Sequence, residues 1–239
     1  MICVYFGSPG CGKTTHIMYL IKKQIKELSK WTTKQKYFPK FLQRFIRDPK
    51  QLYYFTNVKD CVFPFYPSSE LGKTSLPPKS VYYLDEAGID FNNRSYKSLS
   101  KETIAYFKLH RHYKHDINVY SQSWEDMDVT IRRLADKYFY LKKIGPFTLC
   151  REVRKVVTID TNTQQIIDGY KFCGILWRLL PRFMGGFRSF YFVFRPLYYD
   201  YFDSYSIEHP LPEFNIRPRP VAVNHGHRSG VFPFRRSSK

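Results

Sequence analysis

The stretch Gly7-Ser8-Pro9-Gly10-Cys11-Gly12-Lys13-Thr14 leaves this chain the fewest choices. Its spacing, G-x-x-x-x-G-K-[ST], is that of the phosphate-binding P-loop. Ile2-Cys3-Val4-Tyr5-Phe6 before it reads as a short buried strand, and the residues from Thr15 to about Leu28 read as a helix. Strand, glycine turn and helix together separate a working P-loop from a chance match. Glycines let the backbone curl so that successive N–H groups face a phosphate, and the helix adds its positive N-terminal end. In this context Lys13 reaches the β- and γ-phosphates of ATP and the Thr14 hydroxyl binds Mg²⁺. Thr15 continues the nucleotide-contacting set from Gly7 to Thr14.

A second motif gives the first one chemistry. Val81-Tyr82-Tyr83-Leu84-Asp85-Glu86 is four apolar residues followed by two acids. The pattern fits a buried parallel strand that delivers carboxylates at its C-terminal end, the edge where open α/β sheets hold nucleotides. Asp85 is placed to hold Mg²⁺ and Glu86 to orient the attacking water. Asp116 to Gln122 reads as a further strand with Gln122 at its end, where a polar side chain can sense the γ-phosphate, although a plain capping role fits it as well. Arg111, Arg132 and Arg133 are candidates for neutralising charge during phosphoryl transfer, in cis or across a subunit boundary.

Between and beyond these motifs the pattern is coarser. Residues 30–50 are rich in Lys, Arg, Trp and Phe, and Phe38, Phe41, Leu42, Phe45 and Ile46 can share one helical face. Core cover, nucleic-acid contact and membrane-surface contact all remain open for that face. Residues 51–58 read as a strand and 61–79 as a proline-rich loop. Residues 101–110 read as a helix capped by Ser100, and 124–135 as another with Met127, Ile131 and Leu134 on one side. Residues 137–141 form a strand, 147–170 a hairpin turning near Asp160 to Thr163, and Phe190 to Phe194 a late strand. The organisation expected is a P-loop core over 1–145, a β-rich extension over 146–206 and a basic, disordered tail over 207–239.

Composition limits the partners. The 239 residues carry a net charge of +19, a balance that favours nucleic acid or an anionic membrane surface. Five scattered cysteines offer no CxxC pair, which argues against a zinc site or a disulfide framework. The N-terminus enters the first strand at once, without a signal peptide. Residues 172–194 are the nearest approach to a transmembrane run, but Arg178, Arg182, Arg188 and Pro181 break it.

Taken in order, the motifs resemble the Zot (zonular occludens toxin-like) family, which includes the assembly ATPases of filamentous phages. The matches are GSPGCGKT, the strand ending Thr56-Asn57-Val58, VYYLDEAG, the pattern LHRHYKHDINVYSQS with His110-Arg111-His112 before the strand to Gln122, the segment Asp128 to Leu134, and a Tyr-rich close over 197–206. They are dense to about residue 145 and thin beyond it. The resemblance implies an α/β, RecA-like P-loop NTPase related to the FtsK/HerA group, with a mostly parallel sheet flanked by helices and a small β-rich C-terminal extension. It implies ATP hydrolysis with Mg²⁺ in the host cytoplasm, at the inner membrane, driving virion assembly and the export or packaging of single-stranded DNA. Phage coat or assembly proteins are the implied partners, and a hexamer the implied assembly. Lys13 and Thr14 match the nucleotide-binding pair, Asp85 and Glu86 the metal-binding and catalytic acids, and Gln122 the sensor position. Many family members carry a transmembrane helix after the ATPase domain; the arginines here point instead to peripheral attachment. No residue pattern suggests a toxin activity. The alternatives are a small-molecule kinase, against which the Asp85-Glu86 pair argues, and an adaptor that binds ATP as a structural ligand.

From Arg217 to Lys239 the chain has no acidic residue. Removing that stretch is expected to weaken binding to single-stranded DNA or to anionic vesicles while leaving the ATPase core folded. Fluorescence anisotropy and vesicle flotation measure the two affinities. DNA binding should fall steeply with salt, and unchanged affinity for both ligands speaks against the expectation.

Overall fold

The computed structural model describes residues 1–37, 49–59, 61–87, 100–159, 166–172 and 190–202. Its centre is β1 (Ile2–Phe6), whose five residues are all buried. A continuous apolar run of this kind suits a strand covered on both faces. Helix α1 (Lys13–Tyr37) follows, then β2 (Tyr53–Thr56), β3 (Ser80–Leu84), α2 (Lys101–Leu109), β4 (Asp116–Ser121) and α3 (Val129–Leu134). The chain continues through β5 (Lys137–Ile144), β6 (Phe147–Ile159), β7 (Ile166–Phe172) and β8 (Phe190–Phe194), and ends its described part in a 3-10 helix, Arg195–Tyr201.

The strands form one eight-stranded sheet in the order β2-β3-β4-β1-β5-β6-β7, with β8 also pairing β6. The first five are parallel, and β6, β7 and β8 join antiparallel. Strand β4 therefore lies between the P-loop strand β1 and the acidic strand β3. This is an α/β P-loop NTPase fold of RecA-like order, with a β-rich extension built onto the β5 side. Strand β6 is long enough to take two partners along one edge, β8 over Phe147–Arg151 and β7 over Val153–Ile159.

Alternation along the strands sorts the side chains into two cores. On one face Ile17, Met18 and Ile21 of α1 cover Cys3, Tyr5, Val81, Tyr83 and Tyr120. On the other, Tyr106 and Phe107 of α2 and Ile131 of α3 join Ile2, Val4, Phe6, Tyr82, Leu84, Ile117 and Val119. The heavy aromatic content has a structural use here. Tyr5 stacks on Tyr120 of β4 at 4.6 Å and on Phe139 of β5 at 4.8 Å, a column across three neighbouring strands. Such cross-strand ring pairs add roughly 0.5–1.5 kcal/mol each beyond their burial.

Two helices differ from expectation. Helix α1 runs nine residues beyond Leu28. Its second half is mostly exposed and lacks apolar periodicity, so the sequence gives no signal there. Thr32 and Thr33 fit because their hydroxyls donate to Leu28 O and Ser29 O, one turn back. Helix α3 begins at Val129 rather than near Trp124, because the Asp128 side chain accepts from Thr130 N at 2.6 Å and caps it. Ser100 caps α2 as expected, accepting from Thr103 N at 3.1 Å. The aromatic face of residues 38–46, the turn near Asp160 to Thr163, most of 172–194 and the whole of 207–239 lie outside the described residues. Among the described residues no helix is long and apolar enough to cross a membrane.

His16 on α1 is fully buried between two hydroxyls, with Nδ1 2.8 Å from Tyr120 and Nε2 2.6 Å from Tyr191. Burial pushes its pKa down to about 3, so the imidazole is neutral in the fold. The unfolded chain takes up this proton below about pH 6.5 while the folded chain does not. Stability contributed by a neutral His16 is therefore present above pH 6.5 and lost progressively as pH falls from there toward 3. Urea unfolding of wild type and His16→Gln at pH 7 and pH 5 should show wild type losing more stability on acidification than the variant.

Candidate nucleotide site

The parallel registers bring the ends of three strands to one edge. Phe6 pairs with Ser121, and Leu84 pairs with Val119, so Gly7, Asp85 and Gln122 all emerge there. The loop is seated tightly. A Cβ at Gly7 would collide with Leu141 O of β5, so only glycine lets the loop pass this close to the neighbouring backbone. Gly12 has φ +91°, a conformation that side chains rarely adopt, and a Cβ there would also strike Thr148 and Arg195.

Lys13 is buried and its Nζ donates to Gly7 O at 3.0 Å and Ser8 O at 3.3 Å. The ammonium therefore lies across the mouth of its own loop. Thr14 Oγ1 donates to Asp85 Oδ2 at 2.6 Å, across 71 residues of sequence. This contact unites the two motifs. Asp85 is buried, and the cost of desolvating its charge pushes its pKa up, partly offset by the Thr14 hydrogen bond and by Lys13.

Asn57, just past β2, holds Asp85 in place. Its Oδ1 accepts from Asp85 N at 2.7 Å and its Nδ2 donates to Asp85 O at 2.9 Å. Asn57 stood in the motif Thr56-Asn57-Val58 without a role. Its position at the end of a strand next to the acidic strand was the available signal. Glu86 is exposed, with φ +49°, and its N–H donates to Asp85 Oδ1 at 3.0 Å. A left-handed backbone at a residue other than glycine costs on the order of 1–2 kcal/mol, and it sits here beside the carboxylate expected to act on water.

Strand β4 ends at Ser121, so Gln122 lies one residue past it and is exposed at the same edge. Ser121 is buried, and its Oγ finds no partner among the described residues.

Of the three candidate arginines, Arg111 lies away from this loop. Arg111 pairs with Asp136, whose other oxygen accepts from Ile2 N at 2.8 Å. That places it at the start of β1, about 15 Å of strand from the P-loop. Arg132 is buried with its guanidinium 5.6 Å from the Trp124 ring. Arg133 is exposed near the end of α3. Among the described residues, Arg195, from the 3-10 helix after β8, does reach the loop. Its Nη1 donates to Gly10 O at 3.4 Å and its Nη2 to Gly145 O at 2.5 Å. Beside it Thr148 Oγ1 donates to Cys11 O at 2.7 Å. Neither contact was visible in the sequence, because each joins the first residues of the chain to its later part.

With this geometry in view, the comparison with known sequences is decisive. The family model for zonular occludens toxin (Zot) matches residues 1–171. The chain belongs to the Zot family. No curated protein sequence matches it. Among solved structures it is similar to the N-terminal domain of zonular occludens toxin from Neisseria meningitidis, at 20% identity and TM-score 0.40, over 75% of this chain and 98% of that one. It is also similar to the genome packaging NTPase B204 of Sulfolobus turreted icosahedral virus 2 in complex with AMPPCP, at 15% identity and TM-score 0.40, over 70% and 95%. A further similar structure is the flagellar accessory protein FlaH of Methanocaldococcus jannaschii, at 12% identity and TM-score 0.39, over 70% and 88%. Matching of the Zot family model ends at 171, so it spans β1 through nearly all of β7 and stops short of β8 and Arg195.

Asn57→Ala removes both hydrogen bonds to the Asp85 backbone. It should destabilise the fold by about 1–3 kcal/mol, read by urea unfolding, and should weaken binding of a fluorescent ATP analogue more in the presence of Mg²⁺ than in its absence.

Proposed function

We propose that this Zot-family protein is a Mg²⁺-dependent ATPase that drives filamentous-phage assembly, exporting or packaging single-stranded DNA at the host inner membrane. One observation carries the enzymatic part: the 2.6 Å hydrogen bond between the Thr14 hydroxyl and the buried Asp85 carboxylate. It sets two hard oxygen donors side by side next to a phosphate-binding loop. Mg²⁺ bound to ATP commonly takes one or two carboxylates or hydroxyls from the protein and the rest of its ligands from phosphate and water. The donor set fits that pattern, and a divalent cation would offset the charge that burial disfavours on Asp85. Held by Thr14 and Asp85, Mg²⁺ would supply positive charge against the phosphates of ATP.

The chain's own residues do the remainder. Lys13 exchanges the carbonyls of Gly7 and Ser8 for phosphate oxygens. The N–H groups of the loop and the start of α1 hold the phosphates in place. Glu86, exposed at the edge beside Asp85, accepts the proton of the attacking water and orients it. Gln122 reports the state of the γ-phosphate to β4. Charge for the transition state comes from a second subunit, with Arg111, held by Asp136 at the start of β1, and the exposed Arg133 as the candidate donors; a ring of identical subunits, a hexamer by family resemblance, supplies that arrangement.

The assembly role rests on family resemblance and on charge. The net charge of +19 favours single-stranded DNA and anionic lipid. Peripheral attachment to the inner membrane and contact with coat or assembly proteins complete the reading.

Purified full-length protein tests the chemistry. Lys13→Ala should abolish ATP turnover by removing the phosphate contact. Glu86→Gln should keep ATP affinity within a few fold and lower kcat by roughly 10²–10⁴. Wild-type turnover in Lys13→Ala contradicts the ATPase reading. Transfer of phosphate to a nucleoside without release of free phosphate favours a kinase.

A further inference from the structure

The extension beyond residue 145 does more than widen the sheet. We infer that Thr148 and Arg195 are positioning residues of the nucleotide site, a brace behind the phosphate loop that holds its amides in their binding orientation. The inference rests on the nucleotide-binding reading above.

Three observations converge. First, the brace holds consecutive carbonyls. Arg195 Nη1 donates to Gly10 O and Thr148 Oγ1 donates to Cys11 O. In a planar trans peptide the C=O and the next N–H point in opposite directions. Holding the Cys11 carbonyl from the extension side therefore aims the Gly12 N–H away from it, into the concave face of the loop. Second, the fit is close. A Cβ built on Gly12 would lie 2.8 Å from Arg195 Cδ and would overlap the Thr148 hydroxyl. The loop thus lies directly against both side chains. Third, the brace is itself anchored. Arg195 N donates to Pro146 O at 3.0 Å, and its guanidinium donates to Gly145 O at the β5–β6 turn. Thr148 is fully buried in β6, in register with Val193 of β8.

The same 3-10 helix is strapped to α1, the helix that the loop feeds. Lys22 Nζ donates to Tyr201 OH and lies 4.1 Å from that ring's centre, while Tyr19 packs edge-on against Tyr198 at 6.0 Å. Loop and helix are therefore gripped by one segment of the extension. Arg195 Nε is buried and finds no partner among the described residues, so this guanidinium keeps a donor in reserve beside the loop.

Orientation of loop amides serves ground state and transition state alike. Their loss should raise KM and leave kcat nearly unchanged. We expect Arg195→Ala and Thr148→Val each to raise the KM for ATP about tenfold, with kcat within about twofold of wild type. Arg195→Lys keeps the stem against Gly12 but cannot fork to Gly10 and Gly145, and should give an intermediate KM. Equilibrium binding of a fluorescent ATP analogue should show the same ranking, with thermal unfolding followed on every variant. If a folded Arg195→Lys or Thr148→Val protein loses thermal stability yet keeps the wild-type KM, the residues only support the fold and the inference is wrong. Lys13→Ala separates this failure from that of the underlying reading. If wild type and Lys13→Ala bind the analogue equally, the loop is not a nucleotide site and both fall. If Lys13→Ala loses binding and the brace variants do not, only the brace falls.

Discussion

A hydrogen bond of 2.6 Å between Thr14 and Asp85 is the contact on which the rest of the structure depends. It spans 71 residues of sequence, and the sheet is arranged so that it can form. Placing β4 between β1 and β3 leaves a gap of one strand between the phosphate loop and the acidic strand. The side chains of Thr14 and Asp85 close that gap over the end of β4. Burying a carboxylate costs free energy unless it is satisfied. Asp85 is satisfied by the Thr14 hydroxyl and by the Glu86 N–H, while Asn57 fixes its backbone from the end of β2. Three segments far apart in the sequence thus converge on one oxygen-rich point.

The phosphate loop is held from both sides. Toward β3 it is tied through Thr14. Toward the extension it is held by Thr148 and Arg195, and it clears Leu141 only because residue 7 is glycine. The antiparallel strand β6 and the 3-10 helix after β8 thereby touch the phosphate loop although they lie outside the parallel part of the sheet. A loop tied on both sides has few alternative conformations, which lowers the entropic cost of binding a phosphate. It also gives any movement of the loop a direct path into the extension.

What could be read from the sequence was what is local. The P-loop, the apolar strand before Asp85-Glu86, the Ser100 cap and the strand at Phe190 to Phe194 each carry their signal within a few residues. The parallel α/β fold follows from those signals, and the structure has it. Asn57, Thr148 and Arg195 were not legible as site residues, because their partners lie 28, 137 and 185 residues away. Nothing in the local pattern around Arg195 separates it from the many other basic residues of the chain. The second half of α1 is not legible for a different reason: an exposed helix has no apolar period, and the hydroxyls of Thr32 and Thr33 find their partners one turn back only once the helix is formed. Arg111 shows the same limit: its motif does not reveal that its partner in its own chain, Asp136, sits at the far end of β1.

The central claim is that Thr14 and Asp85 form the metal-dependent half of an ATP site. Isothermal titration of the full chain with a non-hydrolysable ATP analogue, in Mg²⁺ and in chelator, tests it most directly when repeated on Asp85→Asn. The account predicts that Mg²⁺ tightens binding to wild type by about tenfold or more, and that Asp85→Asn loses most of this gain while keeping the metal-free affinity. Equal affinity with and without Mg²⁺ in wild type, or an undiminished Mg²⁺ effect in Asp85→Asn, contradicts it.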